Sequence, residues 1–254
     1  MTAINYIFSL VLAGGGIGTF SLGMSRRKKH HLIQDTPTSK IRSVAQGIAE
    51  INGNIEAKET IEAPISKIKC VYYKYEVKEY TRHTHTDSKG HASTSYHWDT
   101  ISTDFKSLPF SLADETGSLK VIPNGAEVDA PLKAQFYDRN KANIITFLKS
   151  FTGVKQDLFE RYEGEYKGSA KVGDRKYLEY CLCPKDNLYI LGTVEADSST
   201  SHTIKKGNLE KTFMISTKSE KQVLSSLKWQ YLPLVIIGAI LFALGILLIV
   251  LRPF

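Results

Sequence analysis

Two apolar segments, one at each end of the chain, restrict the possible folds more than any other feature. Residues 4–22 and 232–251 contain no charged side chain. A helix of roughly 20 apolar residues is long enough to cross the hydrocarbon core of a bilayer. The sequence therefore predicts an integral membrane protein, with transmembrane helices over residues 4–22 and 231–251 and a water-soluble domain between them.

The charges beside these segments predict how the chain is inserted. A signal peptide carries positive charge before its apolar part, whereas here the basic run Arg26–Lys29 follows the first segment. This order favours an uncleaved anchor over a cleaved signal peptide. Lys and Arg accumulate on the cytoplasmic side of a span, and the middle of the chain carries this basic run. The soluble domain is therefore predicted to be cytoplasmic, with both chain ends across the membrane.

Residues beside the predicted spans are expected to contact lipid. In this interpretation residues 24–35 form a basic juxtamembrane linker and residues 218–230 form a juxtamembrane helix. Basic side chains are attracted to anionic headgroups, and Trp and Tyr favour the interface layer. The predicted membrane-contacting residues are Arg26, Arg27, Lys28, Lys29, Trp229 and Tyr231.

The net charge of +7 could also indicate nucleic acid as a partner. The juxtamembrane run supplies four of the positive charges, and the remaining lysines are dispersed among acidic residues. The sequence also lacks the aromatic and basic platform with which proteins bind single strands. The predicted partners are therefore membrane lipids and an unidentified protein, and not nucleic acid.

Two glycines in the first apolar segment predict close helix packing. Gly14 and Gly18 have the small-x3-small spacing that lets helices approach closely. Their partner is either the second predicted span or another copy of the chain, which would give a homo-oligomer through the transmembrane helices. Pro233 is expected in the first turn of the second helix, where its missing N–H does no harm.

The segment between the anchors is predicted to be mainly β with a minor helical part, an α+β domain over residues 36–217. Alternating apolar side chains predict a strand over Ile68–Tyr80. A second strand from Tyr96 then completes an extended hairpin around a polar tip. Further predicted elements are a short capped helix at 36–44, two short strands around Gly53, a helix at 140–152, and hairpins at 110–122, 177–194 and 203–216.

Three stretches of this domain resemble a known family. They are Gly47-Ile-Ala-Glu-Ile-Asn-Gly53 continuing to Tyr75, Pro109-Phe-Ser-Leu-Ala-Asp114 continuing to Asp129, and Glu179 through Tyr189-Ile-Leu-Gly192. In this order and spacing they resemble the GIDE-type, or "beside a membrane" (BAM), domain family, which includes the mitochondrial ubiquitin ligase activator of NF-κB. The resemblance covers about residues 36–254 and implies two transmembrane helices around a BAM domain.

The resemblance also raises the question of ubiquitin ligase activity. Eukaryotic members end in a RING, which needs eight Cys or His zinc ligands in pairs. Only Arg252, Pro253 and Phe254 follow the second apolar segment, so the RING and its activity are expected to be missing. The expected function is a non-catalytic, membrane-anchored binding or scaffold module for a protein, a lipid headgroup or a small ligand. The alternatives are a component of a RING-type E3 ubiquitin transferase system, acting with a RING in trans, or an unrecognised hydrolase.

Four histidines near the tip of the extended hairpin are candidates for a metal site. Two of them would share one face of a strand, a spacing that can chelate zinc or copper. However, no cysteine or carboxylate pair completes the ligand set, and a solvated polar tip accounts for these residues as well. The candidates are His83, His85, His91 and His97.

The cysteines and one acidic cluster are expected to serve the fold. The three cysteines are too few for a disulfide framework, which fits a reducing compartment, and they are expected to pack in the core; they are Cys70, Cys181 and Cys183. The acidic cluster could bind a cation, although turn and edge-strand chemistry explains it better; its members are Asp114, Glu115, Glu127 and Asp129. No catalytic residue, no confident metal ligand and no cofactor is predicted.

Overall fold

Two long helices frame a β domain in the computed structural model of the chain, which describes residues 2–138, 162–163, 170–196 and 202–251. Helix α1 covers Thr2–Asp35 and helix α2 covers Glu220–Val250. Both are long and apolar enough to cross a membrane, with mean hydropathies of 1.6 and 3.0. Only 17% and 11% of the most apolar stretch of each helix, respectively, is buried, whereas the core helix of a soluble protein is mostly buried. The predicted fold class, a mainly β domain between two apolar terminal helices, is confirmed.

Both helices extend beyond their apolar segments. The predicted linker at residues 24–35 is the last third of α1. The predicted juxtamembrane helix and second span form one continuous helix, α2. Ser219 caps its N-terminus, and the Ser219 N–H donates to Gln222 Oε1 at 3.0 Å. Pro233 therefore lies inside α2 rather than in its first turn, where it removes the hydrogen bond to the Trp229 carbonyl.

The two helices pack in antiparallel orientation along a seam of glycines. A Cβ atom added to Gly16 would lie 2.5 Å from the backbone nitrogen of Phe242, and one added to Gly238 would lie 2.5 Å from that of Phe20. No side chain fits at such distances, so glycine is required for the two backbones to touch. The seam glycines are Gly16, Gly23, Gly238 and Gly245.

The predicted packing glycines Gly14 and Gly18 do not lie in this seam. A Cβ atom on either would meet nothing within 4 Å. The buried line along α1 runs through Ser9, Gly16 and Gly23, and Gly14 and Gly18 are each two residues from it, which is about 200° around the helix. The prediction that they pack on the second span is wrong. Their packing on another copy of the chain stays a prediction.

The two longest strands of the described residues form one hairpin, and the other strands have ten residues or fewer. In chain order they are β1 Thr38–Ser39, β2 Gly47–Glu56, β3 Ile61–Glu62, β4 Lys69–Cys70, β5 Tyr72–Thr86, β6 Ala92–Ser107, β7 Phe110–Asp114, β8 Gly117–Val121, β9 Glu127–Asp129, β10 Leu132–Asp138, β11 Tyr162–Glu163, β12 Arg175–Leu182, β13 Asn187–Ala196, β14 His202–Lys205 and β15 Met214–Ser216.

Five of these strands close into a small barrel. β2 pairs with β7 and β13, β7 with β8, β8 with β14, and β14 with β13. All these pairs are antiparallel except β8 with β14. This ring of strands has the Greek-key arrangement of OB-type barrels. Fully buried apolar side chains fill the interior, among them Ile51, Leu112, Val121, Ile190 and Ile204.

A second, antiparallel sheet in the order β11-β10-β12-β5-β6 is inserted between the barrel strands. Its small core contains Ile65, Tyr75, Val77 and Tyr177. β12 pairs with β5 only as far as Glu79, so residues 81–97 form a two-stranded ribbon outside the sheet. The predicted extended hairpin is confirmed, and its strands reach further into the polar tip than expected.

Two predicted elements at the start of the domain are wrong. Residues 36–44 contain β1, which pairs with β2, and a 3-10 helix at Ile41–Ser43. The Ile41 N–H donates to Asp114 Oδ2 at 2.9 Å, so a tertiary contact replaces the local helix. The two predicted strands around Gly53 are the single strand β2. A Cβ atom on Gly53 would lie 2.6 Å from the Ala113 carbonyl oxygen, so this glycine allows close strand approach and not a turn.

Two of the three predicted short hairpins are also wrong. β12 and β13 follow each other closely in the chain but belong to different sheets. β14 and β15 each pair with β13, and not with each other. The hairpin at 110–122 is confirmed by the pairing of β7 with β8. The predicted helix at 140–152 lies outside the described residues.

Candidate functional site

Beyond their apolar segments, α1 and α2 pack directly on the barrel wall. Ile33 of α1 is fully buried there. The helices and the domain therefore share a core, and each fully buried apolar side chain of this size contributes about 1.5–3 kcal/mol. The shared core consists of Ile33 from α1, Val223 and Leu227 from α2, Tyr189 and Leu191 from β13, and Met214 from β15.

Two ion pairs tie the helices to the edge strand β9. Lys29 of α1 pairs with Glu127, and Lys218, just before α2, pairs with Asp129 at 2.9 Å. Ser216 also donates to Asp129 Oδ2 at 3.2 Å. Exposed ion pairs contribute at most about 1 kcal/mol each. These pairs therefore orient the helices, while the shared core provides most of the stabilisation.

A groove of about 600 Å³ opens at this junction between α1, α2 and the loop 206–213. We call it the junction groove. A smaller cavity of about 290 Å³ continues it toward Lys218. Charged and polar side chains form its walls, principally Arg26, Lys28, Lys29, Glu127, Glu210 and Gln230.

The cations of the junction groove differ in their partners. Lys29 is neutralised by Glu127. Within the part of the chain that the structure describes, no carboxylate lies at ion-pair distance from Arg26 or Lys28. Glu210 Oε1 accepts hydrogen bonds from the N–H and hydroxyl of Thr212, at 3.0 and 2.6 Å, and these bonds lower the pKa of Glu210. The groove thus offers two unpaired cations beside a carboxylate that stays ionised.

A family model described as "GIDE: E3 Ubiquitin ligase" matches residues 79–251, more than half of the chain. The chain belongs to the GIDE family. The matched region runs from the ribbon through the second sheet and the last barrel strands to the end of α2, so the resemblance seen in the sequence is confirmed. No curated protein and no solved structure matches this GIDE protein.

The structure separates the residues predicted to contact lipid. Arg26, Lys28 and Lys29 line the junction groove, whereas Arg27 does not. On α2, Trp229 is 75% exposed. Tyr231 is half-buried, with its ring 5.4 Å from that of His30. Contact of these residues with lipid stays a prediction. The four basic residues differ in position, because three of them line the junction groove and Arg27 does not.

The four candidate histidines remain on the ribbon, far along the chain from the junction groove. His83 Nε2 lies 2.5 Å from Asp99 Oδ2, and His91 Nδ1 lies 3.1 Å from Asp87 Oδ2. The rings of His83 and His97 are 5.5 Å apart. Among residues 2–138, 162–163, 170–196 and 202–251, no three His, Cys, Asp or Glu side chains are placed to hold a metal. Two of the four histidines, His83 and His91, therefore pair with neighbouring carboxylates, and metal binding by the four stays a weak prediction.

The opposite face of the ribbon is aromatic, which the sequence reading did not separate from the histidine face. Strand pairing sets Tyr80 opposite Trp98 and Arg82 opposite Tyr96. The rings of Tyr80 and Tyr96 stack at 5.9 Å, and Trp98 contacts Tyr137 edge-on at 6.3 Å. These contacts fix the base of the ribbon to β10. The aromatic side chains can be assigned to one face only when it is known which residues of β5 and β6 lie opposite each other.

The cysteines of the GIDE domain pack as expected. Cys70 and Cys181 are fully buried beside Ala63, and Cys183 is half-buried. The hydrogen bond with Cys70 and burial raise the pKa of the Cys181 thiol, which makes it a poor nucleophile. Cys70 and Cys181 therefore belong to the core, and Cys183 packs at its edge.

The predicted acidic cluster is divided among separate partners. Glu127 pairs with Lys29 of α1, Asp129 pairs with Lys218 just before α2, and Glu115 pairs with Lys40 at 2.6 Å. Asp114 is desolvated, which would raise its pKa, but hydrogen bonds from the Ile41, Thr116 and Gly117 N–H groups outweigh this and lower the pKa to about 2. Turn and edge-strand chemistry accounts for these four residues.

A buried carboxylate lies behind the shared core. Glu50 of β2 is fully buried, and it accepts hydrogen bonds from the hydroxyls of Thr38 at 2.5 Å and Tyr189 at 2.8 Å. Burial raises the pKa of Glu50. The sequence reading missed this residue because a lone Glu in an amphipathic strand looks solvent-facing.

Changing Glu50 to Gln is expected to make stability less dependent on pH. Because the folded-state pKa of Glu50 is raised, its protonated form stabilises the fold at low pH, and this contribution is lost as the pH rises through the folded pKa. The free energy of unfolding of Glu50→Gln relative to the parent should therefore rise from pH 4 to pH 8, by about 1.4 kcal/mol per unit of raised pKa. Thermal unfolding in detergent at both pH values measures it. Glu56→Gln, at the exposed end of β2, is the control, and an equal pH effect there would contradict the assignment.

Proposed function

We propose that this GIDE protein is a membrane-anchored, non-catalytic binding module whose two helices hold the β domain in a fixed position against the cytoplasmic face of a membrane. The observation that carries the proposal is the shared core around Ile33. Flexible tethers would leave the domain free to swing, whereas continuous helices packed on β13 and β15 restrain it. The exposed apolar surface of α1 and α2 supports membrane insertion, because such surface is unfavourable in water.

The geometry also supports a non-catalytic role. The carboxylates that could have formed a site are occupied by lysines and backbone N–H groups. Two of the three cysteines are buried in the core, which is not how RING zinc ligands are arranged. The second candidate function is participation in a RING-type ubiquitin transferase system with the RING in trans, which the description of the matched family favours.

The purified full chain is expected to build no ubiquitin chains. With ubiquitin, ATP, an activating enzyme and a conjugating enzyme, chain formation should stay at the level without the protein, because the described residues hold no group of three Cys, His, Asp or Glu side chains placed to bind a metal, as a RING requires. A RING ligase assayed in parallel provides the positive control. Chain formation by the protein alone would contradict the non-catalytic role. Acceleration of the separate RING ligase would support the second candidate function.

We expect the β domain to lie inside the cell and both chain ends to lie outside it. An impermeant thiol reagent added to intact cells should label Thr2→Cys and leave Ser118→Cys unlabelled. Ser118 is an exposed residue of the barrel, so it reports access better than the fully buried Cys70. After permeabilisation both cysteines should react. Labelling of Ser118→Cys in intact cells would reverse the proposed orientation.

A further inference from the structure

We propose that the junction groove binds the headgroup of an anionic glycerophospholipid from the adjacent leaflet, and that Leu209 enters the same leaflet beside it. The inference rests on the proposed function, because it requires both helices to span the membrane and the domain to stay docked. It goes further by assigning a ligand class and a site. The three supporting observations are the depth of the groove, its cations without a carboxylate partner among the described residues, and an exposed apolar residue next to the groove residue Glu210.

The groove lies at the depth of the headgroups. Arg26 and Lys29 follow Leu22, the last residue of the first apolar segment, by four and seven residues. At 1.5 Å per helical residue these intervals are about 6 and 10 Å. A headgroup layer is about 5–7 Å thick, so the backbone of Arg26 lies at its outer edge and that of Lys29 lies about 3–5 Å beyond it. Long basic side chains can extend back toward the headgroups from there.

The groove offers the donors that a phosphodiester requires. Arg26 and Lys28 both line the groove from α1, on either side of Lys29, and neither is neutralised by a carboxylate among the described residues. A guanidinium binds phosphate oxygens in bidentate fashion, and an ammonium acts as a point charge beside it. The volume of about 600 Å³ is within the range of small-ligand sites. Leu32 and Leu227 provide apolar surface on the same lining.

The loop that supplies Glu210 to the groove also carries a fully exposed apolar side chain. Leu209 precedes the groove residue Glu210 and has no surrounding contacts that shield it from solvent. The loop around Leu209 is held in place by two contacts. Gly207 packs so closely on Thr193 that an added Cβ atom would lie 2.3 Å from Thr193 Oγ1, and the Thr212 N–H donates a hydrogen bond to Glu210. A leucine fixed in water next to a membrane gains by entering it. This commits the groove to a lipid rather than to a free phosphate.

The test uses the full chain in detergent with phosphatidylglycerol, and native mass spectrometry to count bound lipid. The double variant Arg26→Gln with Lys28→Gln should lower lipid affinity by at least about tenfold. The matched control is Arg27→Gln with Lys228→Gln, which removes the same charge at the same level from residues outside the groove. The control should change affinity by less than about twofold. Equal losses in both double variants would overturn the proposal in favour of diffuse attraction to charge.

Two further arms identify the source of the phosphate. Glycerophosphoglycerol, the headgroup without acyl chains, should not displace the lipid, and Leu209→Ser should weaken lipid binding while Asn208→Ser does not. Displacement by the free headgroup together with no effect of Leu209→Ser would overturn the lipid assignment. All variants are also tested for labelling of Ser118→Cys in intact cells. External labelling of the parent would refute the proposed function itself, whereas failed lipid binding with correct orientation refutes only the groove.

Discussion

Changing Gly16 to leucine separates the two helices, whereas changing Gly14 or Gly18 to leucine leaves them packed. A Cβ atom at Gly16 would lie 2.5 Å from the Phe242 nitrogen and 2.9 Å from the Gly238 carbonyl oxygen. Both neighbours are backbone atoms, so only movement of a whole helix can relieve the clash. Gly14 and Gly18 face open space, so leucine is accommodated there.

The separation is measured with spin labels on non-natural residues at Ile7 and Val250, which are exposed at the far end of the helix pair. The parent and the Gly14→Leu and Gly18→Leu variants should give the same narrow distance distribution. Gly16→Leu should give a distribution with a longer mean distance and a greater width. The free energy of unfolding should fall by more than the about 1–3 kcal/mol that ordinary overpacking costs. An unchanged distribution for Gly16→Leu would mean that the seam is not where the structure has it.

Changing Ile33 to alanine is expected to undock the domain from the helices. Ile33 is fully buried against side chains of α2, β13 and β15, and truncating a buried isoleucine costs about 2–5 kcal/mol. For a domain of this size, that loss corresponds to a fall on the order of 10 °C in the thermal midpoint. Near-UV circular dichroism of the full chain in detergent measures the midpoint. Gln34→Ala, at the exposed neighbouring position, should leave it unchanged within about 0.5 kcal/mol.

A second readout separates undocking from general unfolding. Trypsin should cleave Ile33→Ala at Lys40 or Arg42, between α1 and the barrel, faster than it cleaves the parent. If the midpoint falls without faster cleavage there, the variant has destabilised the barrel, and the shared core does not hold the junction. The Gln34→Ala control should show the cleavage rate of the parent.

The sequence predicted those features that depend on local composition. Two runs of about 20 residues without a charge identify α1 and α2 whatever the rest of the chain does. The alternation around Tyr75 and Val77 identifies β5, because a half-buried strand repeats every two residues. The spacing of Gly14 and Gly18 was misleading, because three neighbouring glycines offer several registers and only the line through Gly16 faces α2.

Features that depend on pairing between distant residues were not predictable. Cys181 and Tyr189 are eight residues apart, and nothing in their segments reveals that the first pairs with β5 and the second with β2. The junction groove is lined by both Arg26 and Glu210, which are separated by most of the chain. Glu50 becomes recognisable as a buried carboxylate only when Tyr189 is placed over it. Charge and hydropathy patterns contain no information on such contacts.

The most direct test of the central claim is the distance between the helices and the β domain in a bilayer. Spin labels on non-natural residues at Ile7 of α1 and at Ser118 of β8, in the full chain in lipid nanodiscs, report this distance. A docked domain predicts one narrow distribution, which broadens in Ile33→Ala and remains narrow in Gln34→Ala. A broad distribution in the parent would show that the domain moves freely on its helices, which would contradict the proposal that this GIDE protein holds its domain fixed beside the membrane.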